Sequence, residues 1–169
     1  MRDNNKGLSL VEIIVVVAIM SALAGIMTIG LSSVISKPAE ECGKKIVSAL
    51  RDAKVTTMGK RTCYVEISQN TAGAPVYLTE YINGTAQIPT KVGEKNINVT
   101  LTTEGGTYDL SDIKTIRISY KRETGGFDKA SFTASGSNKN EYLRTMVISK
   151  GTKTYTINLA YLTGKITIE

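Results

Sequence analysis

The stretch KGLSLVEIIVVVAIMSALAGIMTIGLSSVIS, residues 6–36, decides the architecture of this 169-residue chain. From Ile13 to Ser36 it holds 24 consecutive residues without a charged side chain. About 20 apolar residues are enough for a helix to cross the hydrocarbon core of a bilayer. The run therefore predicts a membrane-spanning helix, and Glu12 lies inside the apolar segment that begins at Leu8. A carboxylate costs roughly 2.5–3.5 kcal/mol near a bilayer centre, so a glutamate kept there needs a partner or a purpose.

Two simpler interpretations of this run stay open. A secretory signal peptide has an apolar region of about 7–15 residues that ends at a small-residue cleavage site. The present run is longer, although SALAG at residues 21–25 could serve as such a site. A plain signal anchor fits the length of the run but leaves Glu12 unexplained.

The apolar run continues into an amphipathic helix beyond Pro38. Small and apolar residues recur there every three or four positions, with charged residues mostly between them. These positions are Ala39, Cys42, Ile46, Ala49, Leu50 and Ala53. Because glycine commonly ends a helix, we expect one helix from Leu8 to about Met58, just before Gly59. Its first half is apolar on every side and must lie in lipid or among like helices.

The pattern changes to strand-like alternation after Gly59. Apolar and polar residues alternate in seven stretches, around residues 63–68, 76–82, 97–101, 116–120, 146–148, 155–159 and 166–168. Asn83-Gly84 is a strong tight-turn signal, and LTGKI at residues 162–166 predicts a turn between the last two strands. We therefore predict an α+β fold with seven or eight short, mainly antiparallel strands packed on the C-terminal half of the long helix.

The residues around Glu12 resemble a known signal. KGLSLVE at residues 6–12 is similar to the type III signal of type IV pilins and type II secretion pseudopilins. That signal has a short basic leader, a glycine, a hydrophobic first mature residue and a glutamate five residues into the mature chain. The resemblance implies that a prepilin peptidase cleaves between Gly7 and Leu8 and methylates the new amino terminus at Leu8.

The same resemblance implies a domain organisation and a location. Residues 1–7 would be a leader peptide, residues 8–36 a transmembrane and filament-core helix, and residues 37–169 an extracellular or periplasmic head with a pilin-like fold. The chain would be a single-pass membrane protein before assembly and a filament subunit afterwards. Its partners would be the prepilin peptidase, other pilin or pseudopilin subunits and the lipids of the inner or cytoplasmic membrane.

Glu12 has a physical role in this arrangement. Cleavage creates an ammonium group at Leu8, one helical turn from Glu12, and an acid is favoured near the start of a helix. An unpaired buried charge is strongly penalised, whereas a paired one fixes register. We therefore predict an assembly salt bridge between Glu12 and the Leu8 ammonium of its own or a neighbouring subunit. The alternative is a glutamate that reaches to interfacial water. Unlike many pilins, the chain has no proline between Leu8 and Lys37.

Three stretches resemble one branch of the family. Residues 46–68 and 153–168 are similar to the helix-to-strand segment and the closing hairpin of GspH/FimT-like minor pilins and pseudopilins, and residues 127–137 are weakly similar to their mid-domain strand. The resemblance implies a minor subunit, with a major pilin as the alternative.

The two cysteines, Cys42 and Cys63, have two interpretations. Both fall on apolar faces, so they can be small buried residues. An extracellular location also permits a disulfide between them. Cys42 lies about 24 Å along the helix before its expected end, and Cys63 at most about 14 Å beyond it, so a bridge requires an earlier helix end or a folded-back connection.

The composition limits other functions. The chain has no histidine, which removes the commonest general base and neutral metal ligand, and it has no nucleophile motif, so we predict neither an enzyme nor a cofactor or metal site.

The net charge of +6 falls wholly on residues 37–169, because Arg2, Asp3, Lys6 and Glu12 cancel. KTIRISYKR at residues 114–122 could face DNA, although strand alternation favours a solvated sheet face. The alternative functions are therefore a signal-anchored extracellular binding module and a DNA-binding competence pilin.

Overall fold

The computed structural model describes residues 10–59 and 61–169. Within these ranges, residues 22–37 are described by their backbone alone. The chain divides into two compact units, Met1–Ile35 and Ser36–Glu169. The first unit is helical over its described residues. The second unit, the head, contains the rest of that helix, a short second helix and all the strands.

The helix α1 spans Leu10–Met58, which confirms its predicted end, while the predicted start at Leu8 lies outside the described residues. Pro38 lies inside it. Within the head, α1 buries one apolar stripe, formed by Ala39, Cys42, Ile46, Val47, Ala49, Leu50 and Ala53. The helix ends where Gly59 donates its main-chain N–H to the carbonyl oxygen of Val55 at 2.9 Å.

The head has twelve strands in the described part of the chain. Their bounds, with the short helix α2, are β1 Cys63–Ser68, β2 Val76–Ile82, β3 Thr85–Ala86, β4 Thr90–Gly93, β5 Asn98–Thr103, β6 Thr107–Asp109, α2 Leu110–Ile113, β7 Thr115–Ser119, β8 Ala130–Ala134, β9 Ser137–Glu141, β10 Leu143–Lys150, β11 Lys153–Ala160 and β12 Lys165–Ile168.

The strands form two antiparallel sheets. The first has the order β3-β2-β1-β7-β8-β9, with β4 also paired to β2, and the second has the order β12-β11-β10-β5-β6. All pairings between these strands are antiparallel. The predicted α+β fold with mainly antiparallel strands is therefore confirmed. The predicted number of strands was wrong, because β3, β4, β6 and β9 are short or polar and carry no apolar alternation.

One buried apolar cluster joins α1 to both sheets. The inward residues of β1 alternate as predicted, with Cys63, Val65 and Ile67 buried. Where α1 meets β11, Gly43 is buried, and a Cβ atom added to it would overlap the ring of Tyr155. The glycine thus permits close packing of helix and sheet.

Both predicted turns are present in the head. Asn83 and Gly84 join β2 to β3 with φ values of 51° and 81°, as a tight hairpin turn requires. The turn between β11 and β12 contains Gly164 at φ 61°, where a Cβ atom would overlap the carbonyl oxygen of Gly125. This second turn is tied to α1 by Lys54, whose Nζ donates to the carbonyl oxygens of Thr163 and Gly164 at 2.9 and 3.3 Å.

Candidate assembly segment and surface sites

The first described part of α1 presents apolar side chains on all sides. Every residue from Leu10 to Ser21 is exposed. The large apolar residues among them are Leu10, Val11, Ile13, Ile14, Val15, Val16, Val17, Ile19 and Met20. A helix that is apolar on every side is normally covered by lipid or by other protein rather than exposed to water. We refer to Leu10–Ser21 as the assembly segment.

Glu12 is the acidic residue in the first turn of α1, and its side chain is exposed. The partial positive charge at a helix start favours an acid at this place. Gly7 and Leu8, the predicted cleavage and methylation site, lie outside the described residues. The pairing of Glu12 with an ammonium group at Leu8 therefore stays a prediction.

Within residues 10–59 and 61–169, no helix meets the length and apolarity that a membrane crossing requires. The stretch 22–36 of the predicted span lies outside the described side chains.

Cys42 and Cys63, for which the sequence permitted a disulfide, do not form one in the structure. Cys42 and Cys63 are both free and both buried. A Cβ atom built on Gly93 would lie 3.0 Å from Cys42 Sγ and 2.9 Å from Cβ of Val76, so the Cys42 thiol lies beside the start of β2. Cys63 pairs instead with Ile82, at the end of β2.

Six residues of strand separate these two places, about 20 Å, whereas the Cβ atoms of a disulfide lie about 3.8 Å apart. Each cysteine is therefore a small core residue. Burial raises the pKa of the Cys42 thiol to about 12, and it also raises the pKa of Cys63. Both thiols are protonated at neutral pH and are poor nucleophiles.

Residues 114–122, which the sequence suggested as a basic surface, divide between the two sides of β7. Arg117 is exposed, whereas Tyr120 is only 5% exposed and packs on Phe127 with ring centroids 4.5 Å apart. Burial raises the pKa of Tyr120. The tyrosine of this stretch is therefore a core residue and is not available to stack on a base.

The outer face of the first sheet carries a cluster that sequence reasoning missed. Tyr64 and Tyr81 are cross-strand partners, and their rings stack with centroids 4.5 Å apart and planes inclined by 12°. The Arg117 guanidinium lies 5.0 Å from the centroid of Tyr64 and 5.9 Å from that of Tyr81. Its Nε donates to Glu66 Oε2 at 3.1 Å, and this hydrogen bond raises the pKa of Arg117. One indication of this cluster was present in the sequence. Tyr64, Tyr81 and Arg117 each alternate with the buried residues of their strand and therefore point to the outer face.

A second cluster places two ammonium groups around one ring. Lys121 and Lys129 each have Nζ 5.6 Å from the centroid of Tyr142, and Lys121 also donates to the Tyr142 hydroxyl at 3.3 Å. The Tyr161 ring lies beside Tyr142, with centroids 4.8 Å apart. This is a local basic surface at the junction of the two sheets.

Comparison with known proteins identifies the N-terminal segment. Residues 2–28 match the family described as the prokaryotic N-terminal methylation motif. No curated protein and no solved structure matches the chain. The match covers the predicted cleavage site, Glu12 and the assembly segment.

The motif match is confined to the amino-terminal segment, and the α+β head is consistent with the pilin-like fold that the sequence predicts. The motif supports the predicted relation to type IV pilins and type II secretion pseudopilins. It implies processing by prepilin peptidase, insertion of the precursor in a membrane and assembly with other pilin subunits.

Proposed function

We propose that the chain is a minor subunit of a type IV pilus or a type II secretion-like filament, related to the GspH/FimT-like branch. The single observation that carries the proposal is the methylation motif at residues 2–28, which contains the exposed apolar assembly segment. The leader would be residues 1–7, the filament-core helix residues 8–36 and the head residues 37–169.

The assembly segment supports this proposal on physical grounds. Leu10 and Met20 are 75% and 66% exposed, and the residues between them are exposed as well. A membrane would cover these side chains before assembly, and parallel copies of the same helix would cover them in a filament. The exchange keeps the apolar surface out of water at each stage.

Glu12 fixes the axial position of a subunit relative to its neighbours in the proposed filament. In the proposed filament its carboxylate pairs with the methylated ammonium at Leu8 of its own or a neighbouring subunit. A charge buried among apolar helices is tolerated when it is paired, and a misplaced subunit leaves it unpaired. The pair therefore penalises docking at the wrong height.

The test is co-expression of the full chain with a prepilin peptidase, followed by mass spectrometry of the amino terminus. We expect a chain that begins with an N-methylated Leu8. A matched pair of variants, Gly7→Val and Ala24→Val, separates the two candidate sites, and only the first should block processing. An intact leader, or cleavage after Ala24 within SALAG, would contradict the proposal and favour a signal-anchored binding module or a secreted protein.

A further inference from the structure

The outer face of the first sheet carries an open groove beside α2. Two adjoining cavities of about 260 and 500 Å³ share Asp112, Ile113 and Ser135 in their linings. One wall is α2, and the other is the turn between β8 and β9. Outward residues of β7 and β8, including Thr115 and Ser131, form the floor. We call this feature the α2 groove.

One end of the α2 groove is lined by Arg117 and Glu66. The Arg117 guanidinium is held there by the carboxylate of Glu66 and by the stacked rings of Tyr64 and Tyr81. A guanidinium fixed in this way keeps a planar set of donors for a ligand without losing side-chain freedom on binding.

The wall of the α2 groove stores backbone strain. Lys114, which follows α2, has φ 65° and ψ −43°, close to the rare classic γ-turn. Such a conformation costs on the order of 1–3 kcal/mol and persists where the surroundings enforce it, commonly at binding sites. Here the main-chain N–H of Lys114 donates to Leu110 at 2.8 Å, and its carbonyl accepts from Gln69 at 2.9 Å.

The charges of the α2 groove indicate a neutral ligand. Its lining holds three acids, Glu66, Asp109 and Asp112, and two bases, Lys114 and Arg117. The +6 net charge of the chain is therefore not concentrated here. A phosphate polymer gains its affinity from clustered cations, which this groove lacks.

The remaining polar lining consists largely of hydroxyl groups, from Thr107, Thr115, Ser131, Thr133 and Ser135. A hydroxyl both donates and accepts, a carboxylate accepts from neighbouring hydroxyls, and a guanidinium donates to oxygen. These groups complement a ligand that carries many hydroxyl groups of its own. Tyr108 adds an aromatic surface for the C–H faces of such a ligand.

We propose that the α2 groove binds a neutral polysaccharide chain. The ligand class follows from the nearly balanced charge, the many hydroxyl groups, the fixed guanidinium of Arg117 and the ring of Tyr108 in the lining of one open groove. This binding goes beyond filament assembly and uses other residues, so it can fail while cleavage after Gly7 still occurs.

The test uses the full chain in a mild detergent and three neutral polysaccharides, chitin, cellulose and mannan, in pull-down titrations. We expect retention on at least one of them that changes little between low and high salt. Ser131→Tyr fills the floor of the groove at an exposed strand position, where tyrosine is well tolerated, and should weaken binding at least about tenfold. Thr167→Tyr on β12, also exposed, is the matched control and should bind as the parent chain does.

A second variant separates recognition from folding. Arg117→Lys keeps the charge but loses the planar donor set, and should weaken binding while leaving the unfolding temperature nearly unchanged. Three results would overturn the proposal: no retention on any of the three polysaccharides, equal retention of Ser131→Tyr, or salt-sensitive binding to DNA alone that is lost in Lys121→Ala and Lys129→Ala.

Discussion

Lys54 Nζ donates a hydrogen bond to the main-chain carbonyl oxygen of Thr163 at 2.9 Å, joining α1 to the turn between β11 and β12 across 109 residues of sequence. The same ammonium lies 3.3 Å from the carbonyl oxygen of Gly164. The last hairpin of the head is thus anchored to the helix by a charged donor as well as by apolar packing. We expect Lys54→Met to lower the free energy of unfolding by about 1 kcal/mol, because a charge-assisted bond to main-chain oxygen is lost.

Thermal unfolding of the full chain, followed by near-ultraviolet circular dichroism, would measure this loss. Lys45→Met, on an exposed position of the same helix, is the control. If the two variants unfold at the same temperature, the Lys54 contact contributes nothing to stability.

Gly43 should be intolerant of even a methyl group. A Cβ atom there would overlap the Tyr155 ring, so Gly43→Ala is expected to destabilise the head by about 1–3 kcal/mol through overpacking. Alanine otherwise favours helices, so propensity alone predicts the opposite sign. The same substitution in a Tyr155→Ala background should cost much less. An equal cost in both backgrounds would show that the ring is not the cause.

The stability of the head should depend on pH through the carboxyl group of Glu80. It faces α1, and burial, followed by the charge of Asp52, raises its pKa above 4.5. The folded head therefore holds this proton more tightly than the unfolded chain, and the resulting stability is lost as the pH rises through the folded pKa. At neutral pH we expect Glu80→Gln to stabilise the head by less than about 1 kcal/mol, since the side chain is only partly buried.

Urea unfolding at several pH values would check the Glu80 prediction. The gain from Glu80→Gln should disappear below pH 4.5, the ordinary pKa of the carboxyl group. Asp52→Asn should reduce the gain at neutral pH. A gain that is independent of pH would argue against an effect of charge.

The two thiols should be inaccessible in the folded chain. Because Cys42 and Cys63 are free and buried, iodoacetamide is expected to modify neither under native conditions and both in denaturant. Mass spectrometry without a reductant counts the added groups. A denatured, unreduced chain that takes up no label would reveal the disulfide that the fold places out of reach.

Glu12 should affect assembly rather than processing. Glu12→Ala and Glu12→Gln remove the carboxylate, so each is expected to be cleaved after Gly7 yet to enter filaments poorly. The measurement is the amount of mature subunit in sheared filaments relative to the membrane fraction. Normal incorporation of Glu12→Gln would show that the charge is not needed and would remove the proposed pairing with the Leu8 ammonium.

The sequence predicted those parts of the fold that periodicity encodes. The end of α1 at Met58, the alternation in β1 and the Asn83-Gly84 turn follow from local pattern and are all present. The short strands β3 and β4 and the polar strand β9 carry no such pattern. They exist because neighbouring strands offer hydrogen-bonding edges, which is a tertiary effect.

The candidate sites also differ in how far the sequence predicts them. The processing signal is contiguous, so KGLSLVE predicted a prepilin motif that the match at residues 2–28 supports. The α2 groove is lined by residues from β1, β6, α2, β7 and β8, and their proximity depends on strand order. The separation of Cys42 from Cys63 likewise depends on which end of β2 each one meets.

The order of strands has a consequence for biogenesis. The chain lays down β1–β4 in one sheet, β5 and β6 in the other, β7–β9 in the first again and β10–β12 in the second. Because β1 pairs with β7 and β5 pairs with β10, the first sheet can be completed only after β9 has been made and the second only after β12. The core that α1 shares with both sheets can therefore be completed only when the last three strands, β10–β12, are present.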